Sequence, residues 1–256
     1  MRATYEQDIA ELRRIVFGSK KVVFFGGAGV STESGIPDFR SKDGLYSLTY
    51  AYPPETMLSH SFYRSNRDDF FAFYRDKVLR GVLDAQPNTA HRVLAQLENS
   101  GHVQAVVTQN IDGLHQAAGS RTVHELHGSV HRNYCERCGT AYSAREVLAQ
   151  LEAGCNDHSD APLCTRPDCR GLIKPDVVLY EEPLDNTVLN AAVAAISSAE
   201  VLIIGGTSLV VNPAAGLVQL FCGSHLIVIN KSETTRDTSA DLVFHESIGA
   251  VLGQLE

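Results

Sequence analysis

The sequence predicts an α/β fold, a Rossmann-like doubly wound parallel sheet carrying a smaller, cysteine-bearing module. Three observations support this. Short runs that are apolar on both sides recur at 22–25, 103–107, 201–204 and 226–229, as strands buried on both faces require. Stretches with helical apolar spacing separate them, over 8–17, 89–97, 187–198 and 213–221, the alternation of a parallel sheet. Between 133 and 171 the chain turns to cysteines, charges and short polar pieces. Such a stretch buries too little apolar surface to stand without a staple.

The first helix is amphipathic, with Ile9, Leu12, Ile15 and Val16 on one face. It leads into Val22-Val23-Phe24-Phe25, which ends at Gly26-Gly27-Ala28-Gly29, a glycine turn of the kind that closes a buried strand. A helix N-terminus is expected behind that turn, after which Glu33-Ser34-Gly35-Ile36-Pro37 reads as loop because Pro37 opposes a continuing helix. The aromatic-rich stretch 42–86 reads as an insert of helices and loop. The chain therefore divides into a sheet domain over 1–41, 87–132 and 172–256, a helical insert over 42–86, and a cysteine module over 133–171.

Composition removes several function classes. The 256 residues hold 22 Lys and Arg against 30 Asp and Glu, a formal net charge of −8. That leaves no basic footprint for a nucleic-acid backbone, and suits basic partners such as Lys-rich peptides. No apolar run approaches the ~18 residues of a membrane-spanning helix, and residues 1–14 lack the apolar core of a secretory signal. A cytoplasmic enzyme with no membrane partner is expected; nothing bears on oligomeric state. Five of the six cysteines lie between Cys135 and Cys169, with Cys222 alone. A local cluster in a long chain points to metal rather than a disulfide framework.

Four strand ends carry ligand-type residues, where open parallel sheets bind. Gly27-Ala28-Gly29-Val30-Ser31-Thr32 lets backbone N–H groups approach a phosphate, yet it lacks the third glycine of the dehydrogenase fingerprint. Thr108-Gln109-Asn110-Ile111-Asp112 offers directional hydrogen bonds to a ribose or amide, or a plain Asx-turn. Gly205-Gly206-Thr207-Ser208 and Asn230-Lys231 follow the other two strands. His127, before Gly128, is of the residue type that titrates close enough to neutrality to act as a base. Cys135-x-x-Cys138 and Cys164-x4-Cys169 supply four thiolates, the closed set of structural zinc. The second pair is wider than usual, so Cys155 stays open as a substitute ligand, and a redox C-x-x-C is the rival reading.

In series, Gly27-Ala28-Gly29-Val30-Ser31, Gly35-Ile36-Pro37-Asp38-Phe39-Arg40, the 108–112 motif, His127-Gly128, the cysteine pairs and Gly206-Thr207-Ser208-Leu209 resemble the sirtuin family of NAD-dependent protein deacylases over nearly the whole chain. The resemblance implies that NAD is consumed as a co-substrate, that one zinc ion is structural, and that acyl-lysine proteins or peptides are the partners. By position, Gly27, Ala28, Thr32, Phe39 and Arg40 would belong to the cofactor loop. Gln109, Asn110 and Asp112 would contact the ribose and the nicotinamide amide, with Ile36 and Ile111 lining that pocket. Gly206, Thr207, Ser208, Asn230 and Ile248 would hold the adenosine half. Cys135, Cys138, Cys164 and Cys169 would hold the zinc.

The implied chemistry transfers the acyl group to ADP-ribose. The acyl oxygen attacks the ribose carbon as nicotinamide leaves, and His127 acts as general base on the ribose hydroxyls, with Asn110 as the second catalytic residue. The peptide backbone would pair between Val178, Leu179 and Tyr180 on one side and the 209–212 segment, with Val210, on the other. A mono-ADP-ribosyltransferase on the same site is the alternative. A non-catalytic NAD sensor is disfavoured because His127 and Asn110 are both present. One position departs from the family, Glu181, which stands where most members have Gly, beside the peptide groove; Ala72 stands where only the succinyl-lysine enzymes carry a Tyr, ahead of the residue matching Arg75. Neutral acyl groups are therefore expected over succinyl.

Overall fold

Val22, Phe24, Val106 and Ile203 join one apolar cluster, and Val23, Phe25, Val107 and Leu202 another. The pleat sends alternate side chains to opposite faces, so this partition means that the sheet is covered on both sides. The computed structural model describes residues 4–38, 52–154 and 161–256. Its larger sheet comprises β1 (Val22–Gly26), β2 (Val103–Thr108), β3 (Val123–Glu125), β7 (Val201–Gly205), β8 (His225–Ile229) and β9 (Leu242–Phe244). All pair in parallel in the order β3-β2-β1-β7-β8-β9. The order runs outward one way from β1 and then the other from β7. The crevice for a ligand opens at that reversal, beyond the carboxyl ends of β1 and β7.

Helices Tyr5–Gly18 and Thr89–Asn99 cover one face through Leu12, Val16, Val93 and Leu94, and helix Asn186–Ser198 covers the other through Ala192 and Ile196. Each fully buried Leu, Val or Ile side chain among these stabilises the fold by ~1.5–3 kcal/mol. Asn88 caps the second helix, accepting from Ala90 and His91 N–H, while its amide donates to the Val30 carbonyl at 2.7 Å and to Ser34 Oγ at 3.0 Å. The cap thus fixes the glycine turn against the helix. Among the described residues no helix is long and apolar enough to cross a membrane.

The second sheet is antiparallel, with β4 (Gly128–Cys135) between β5 (Ala141–Ser143) and β6 (Ile173–Val177). It extends past the expected module at both ends, since β4 begins at Gly128 and β6 ends at Val177. Its core is not its own. Val147, Ile173, Cys135, Cys164 and Cys169 share one cluster with Tyr63, Phe70, Phe71 and Leu79 from helices His60–Ser65 and Arg67–Phe73 and the following turn. Edge-to-face rings 5.1 Å apart, Tyr63 on Phe70 and Phe70 on Phe71, hold that cluster.

One local expectation is corrected. The glycine turn is followed by two 3₁₀ turns, Ala28–Val30 and Thr32–Ser34, rather than an α-helix, because Gly35 takes a left-handed φ of 84° and ends the run. The 213–221 stretch forms a 3₁₀ helix over Ala214–Leu220.

Candidate active site and metal centre

The carboxyl ends of β1 and β7 are drawn together by their own backbones. Gly27 N–H donates to the Gly205 carbonyl at 3.2 Å, and Gly29 N–H to the Gly206 carbonyl at 2.8 Å. A β-carbon on Gly29 would lie 2.8 Å from that Gly206 oxygen, so only glycine permits the approach. Gln109 Nε2, from the end of β2, reaches Thr207 Oγ1 at 3.4 Å and ties in a third strand end. Ile248 packs against the neighbouring Gly205.

A buried polar chain crosses this crevice. Asn110 Nδ2 donates to Ser31 Oγ at 3.0 Å, and Ser31 Oγ donates to Asp112 Oδ2 at 2.7 Å. Asp112 Oδ1 accepts the Leu114 N–H at 2.9 Å. All three side chains are under 9% exposed, where unpaired polar atoms would be costly. Ser31, quoted in the glycine-turn motif without a role of its own, is the residue that joins the other two. Its place two residues beyond the glycine turn resembles ordinary turn chemistry, and only the contacts with Asn110 and Asp112 mark it out. Beside the chain, Ile36 and Ile111 both pack against the small-sheet cluster.

His127 follows β3 and precedes β4. Its Nδ1 lies 2.9 Å from the Gln109 carbonyl; a carbonyl only accepts, so Nδ1 carries the proton and Nε2 keeps its lone pair. Burial lowers its pKa below the usual imidazole value, partly opposed by that hydrogen bond. A neutral ring with a free acceptor nitrogen is a base at neutral pH. Gly128, at φ 76°, passes so close to the Asp176 carbonyl that any β-carbon would collide with it. The nearby His131 donates from Nε2 to the Asp112 carbonyl at 2.8 Å and is a brace for that turn.

Other expected residues fall less centrally. Thr32 Oγ1 donates to the Gly29 carbonyl at 3.0 Å, which shapes the turn from within. Asn230 Nδ2 donates to the Ser232 carbonyl at 2.7 Å, Ser208 is exposed, and Ala28 opens the first 3₁₀ turn. Phe39, Arg40 and Cys155 lie outside the described residues. On the peptide side, Val210 and Tyr180 are exposed apolar groups. The Leu179 side chain is 3% exposed within the small-sheet core, so this residue could meet a peptide only through its backbone. The N–H groups of Val178, Leu179 and Tyr180 are all taken, by the His127 carbonyl, Glu182 Oε2 and the Leu58 carbonyl.

The sulfurs of Cys135, Cys138, Cys164 and Cys169 lie within 4.8 Å of one another. Cys135 and Cys169 are 3.5 Å apart, Cys138 and Cys164 3.6 Å. Tetrahedral zinc with bonds of about 2.3 Å sets sulfurs about 3.8 Å apart, so the four fit that ion. Four sulfurs close the shell, which is the structural kind of site. The Tyr142 hydroxyl donates to Cys164 Sγ at 3.0 Å and accepts the Thr165 N–H at 2.9 Å, steadying the outer ligand pair.

Comparison with known proteins agrees in both sequence and shape. The model of the Sir2 family matches residues 27–213. A curated NAD-dependent protein deacetylase of Clostridium acetobutylicum is 54% identical over 246 residues, covering 95% of this chain and 96% of that protein. A solved Sir2 variant with a deacetylated p53 peptide and 3′-O-acetyl ADP ribose superposes with a TM-score of 0.87 at 38% identity, covering 96% of each chain. A Sir2 complex with a p53 peptide and NAD+ gives 0.84, also at 38% identity and 96% of each chain.

Proposed function

This chain belongs to the Sir2 family, and from that premise we infer that it is an NAD-dependent protein-lysine deacetylase. The acyl group passes from lysine to ADP-ribose, releasing nicotinamide. The observation that carries the residue assignment is the pairing of His127, with Nε2 open, and the buried Asn110–Ser31–Asp112 chain at one end of the parallel sheet. His127 accepts a proton from a ribose hydroxyl at Nε2. Asn110 and Asp112, held by Ser31, orient the nicotinamide half, with Gly27, Ala28, Thr32, Phe39 and Arg40 on the cofactor loop. Thr207, Ser208, Asn230 and Ile248 take the adenosine half. Cys135, Cys138, Cys164 and Cys169 would hold a zinc ion whose closed four-sulfur shell would supply shape, not chemistry.

Acetyl and other neutral acyl groups are the proposed substrates. Arg75, the one cation aligned to grip a distal carboxylate, is bound to Asp76 at 2.8 and 3.0 Å. Tyr74 is 1% exposed and stacked on Phe70 with ring centroids 5.8 Å apart, so it offers no phenol to a ligand. A succinyl carboxylate buried here would lack adequate partners. A reducing cytoplasm suits the four-thiol centre.

Incubation with NAD and an acetyl-lysine peptide tests the reading. O-acetyl-ADP-ribose with free lysine is the expected product. Protein-linked ADP-ribose in its place would shift the assignment to mono-ADP-ribosyl transfer, and neither product would overturn both.

A further inference from the structure

Glu181 has a backbone φ of 75°, in the left-handed region where a β-carbon is crowded. Its side chain supplies the compensation. Oε2 accepts the Ser61 N–H at 2.8 Å, and Oε1 accepts the Ser61 hydroxyl at 2.9 Å. The residues on either side are tied to the same helix. Tyr180 N–H donates to the Leu58 carbonyl at 3.0 Å, and the His60 N–H donates back to Tyr180 at 2.9 Å. The Glu182 carboxylate lies 2.8 Å from His60 Nδ1 and accepts the Leu179 N–H at 2.9 Å and Lys174 Nζ at 3.2 Å. Burial alone would raise the Glu182 carboxyl pKa, but these partners outweigh it and hold the group ionised below its ordinary value.

Three successive residues, 180–182, are thus fastened to residues 58–61, and only the middle one is fastened against its backbone preference. Glu181 is exposed, and its own N–H and C=O carry no hydrogen bond among the described residues, which leaves an open edge where a peptide strand would pair. Resting on the deacetylase reading, we propose that the Glu181 carboxylate, clasped on Ser61, is a positioning group that presets this edge and so determines affinity for the acyl-lysine peptide. A preset edge lowers the ordering cost of binding; released from Ser61, a non-glycine residue at this φ relaxes and carries the edge with it.

The test uses the full, zinc-loaded chain, with anisotropy of a labelled acetyl-lysine peptide for Kd and steady-state kinetics at saturating NAD. Glu181→Ala should raise peptide Kd and KM about tenfold, the scale of one charge-assisted hydrogen bond, with a much smaller change in kcat. Ser61→Ala keeps its backbone N–H and should fall between that variant and wild type. Glu181→Gln can still accept from Ser61 and should stay within about threefold of wild type. If Glu181→Ala lowers the melting temperature, Ser61→Ala and Glu181→Gln carry the comparison. Glu181→Gln as weak as Glu181→Ala would assign the effect to charge and overturn the clasp. A wild-type Kd in Glu181→Ala and Ser61→Ala would do the same. A wild type without turnover would instead overturn the deacetylase reading.

Discussion

The two sheets solve the same problem by different means. In the parallel sheet Val22, Val23, Phe24 and Phe25 are all fully buried between helices, and apolar burial is enough to hold the strands. The antiparallel sheet has three strands, with β5 only three residues long, and its core is completed by aromatic rings from elsewhere in the chain. Four clustered thiols supply the rest. The first region therefore tolerates a polar crevice at its strand ends, whereas the second depends on a metal and on a neighbour. Loss of function should follow different routes in each.

The largest test removes the metal. Cys138→Ser or chelation should release one zinc per chain and forfeit a binding energy on the order of 10–16 kcal/mol. Amide exchange should then accelerate over 128–177 while β1, β2 and β7 stay protected. Equal loss of protection in both sheets would show that they fold as one unit. The next test leaves both sheets intact. His127→Ala should lower kcat by ~10²–10⁴-fold with NAD affinity within about threefold; near-normal turnover would remove His127 from the mechanism.

Acid should weaken the parallel-sheet region in particular. Burial holds His91 down to about 4 and His115 well below its usual value, with the two rings 4.7 Å apart. An unfolded His gains its proton near pH 6.5, before these folded ones do. Their contribution is therefore complete above about 6.5 and is lost as pH falls toward 4, by up to ~1.4 kcal/mol per pH unit for each group. Denaturant titrations at pH 7, 6 and 5 should show the slope, and His91→Gln should make it shallower. An equal slope in that variant would count against this origin. The smallest effect is expected at Arg80, which bridges Asp76 and Glu152 at 3.1 Å between the helical segment and the cysteine module. Its side chain is 51% exposed, so Arg80→Ala should change stability by less than ~1 kcal/mol. A larger loss in the same titration would mean that the small region leans on charge as well as on metal and rings.

Legibility followed the same division. The four central strands were readable because burial on both faces writes an unbroken apolar run. The edge strands β3 and β9 were not, since each has three residues and includes half-buried positions. Strands β4 and β6 hid behind polar residues such as Asn133 and Lys174, which are buried with hydrogen-bond partners. At the site, Asn110, Asp112 and His127 stood out by residue type at strand ends. Ser31 did not, because a serine after a glycine turn looks like ordinary turn chemistry until its contact with Asp112 is seen. The side-chain directions around residue 179 were not legible either: only the burial pattern shows that Val177 and Leu179 point into the small-sheet core.

Strand β4 begins at the residue after His127 and ends on Cys135, one of the four clustered cysteines. Anyone building chimaeras from relatives of this chain would be tempted to splice at 133 and 171, where the composition changes. Such a cut would sever β4 midway and leave β6 facing a foreign edge, with His127 at the mercy of a mismatched register. A transplantable cassette must carry Gly128 through Val177 whole. Even then it would need a host whose aromatic side chains fit the missing half of its core.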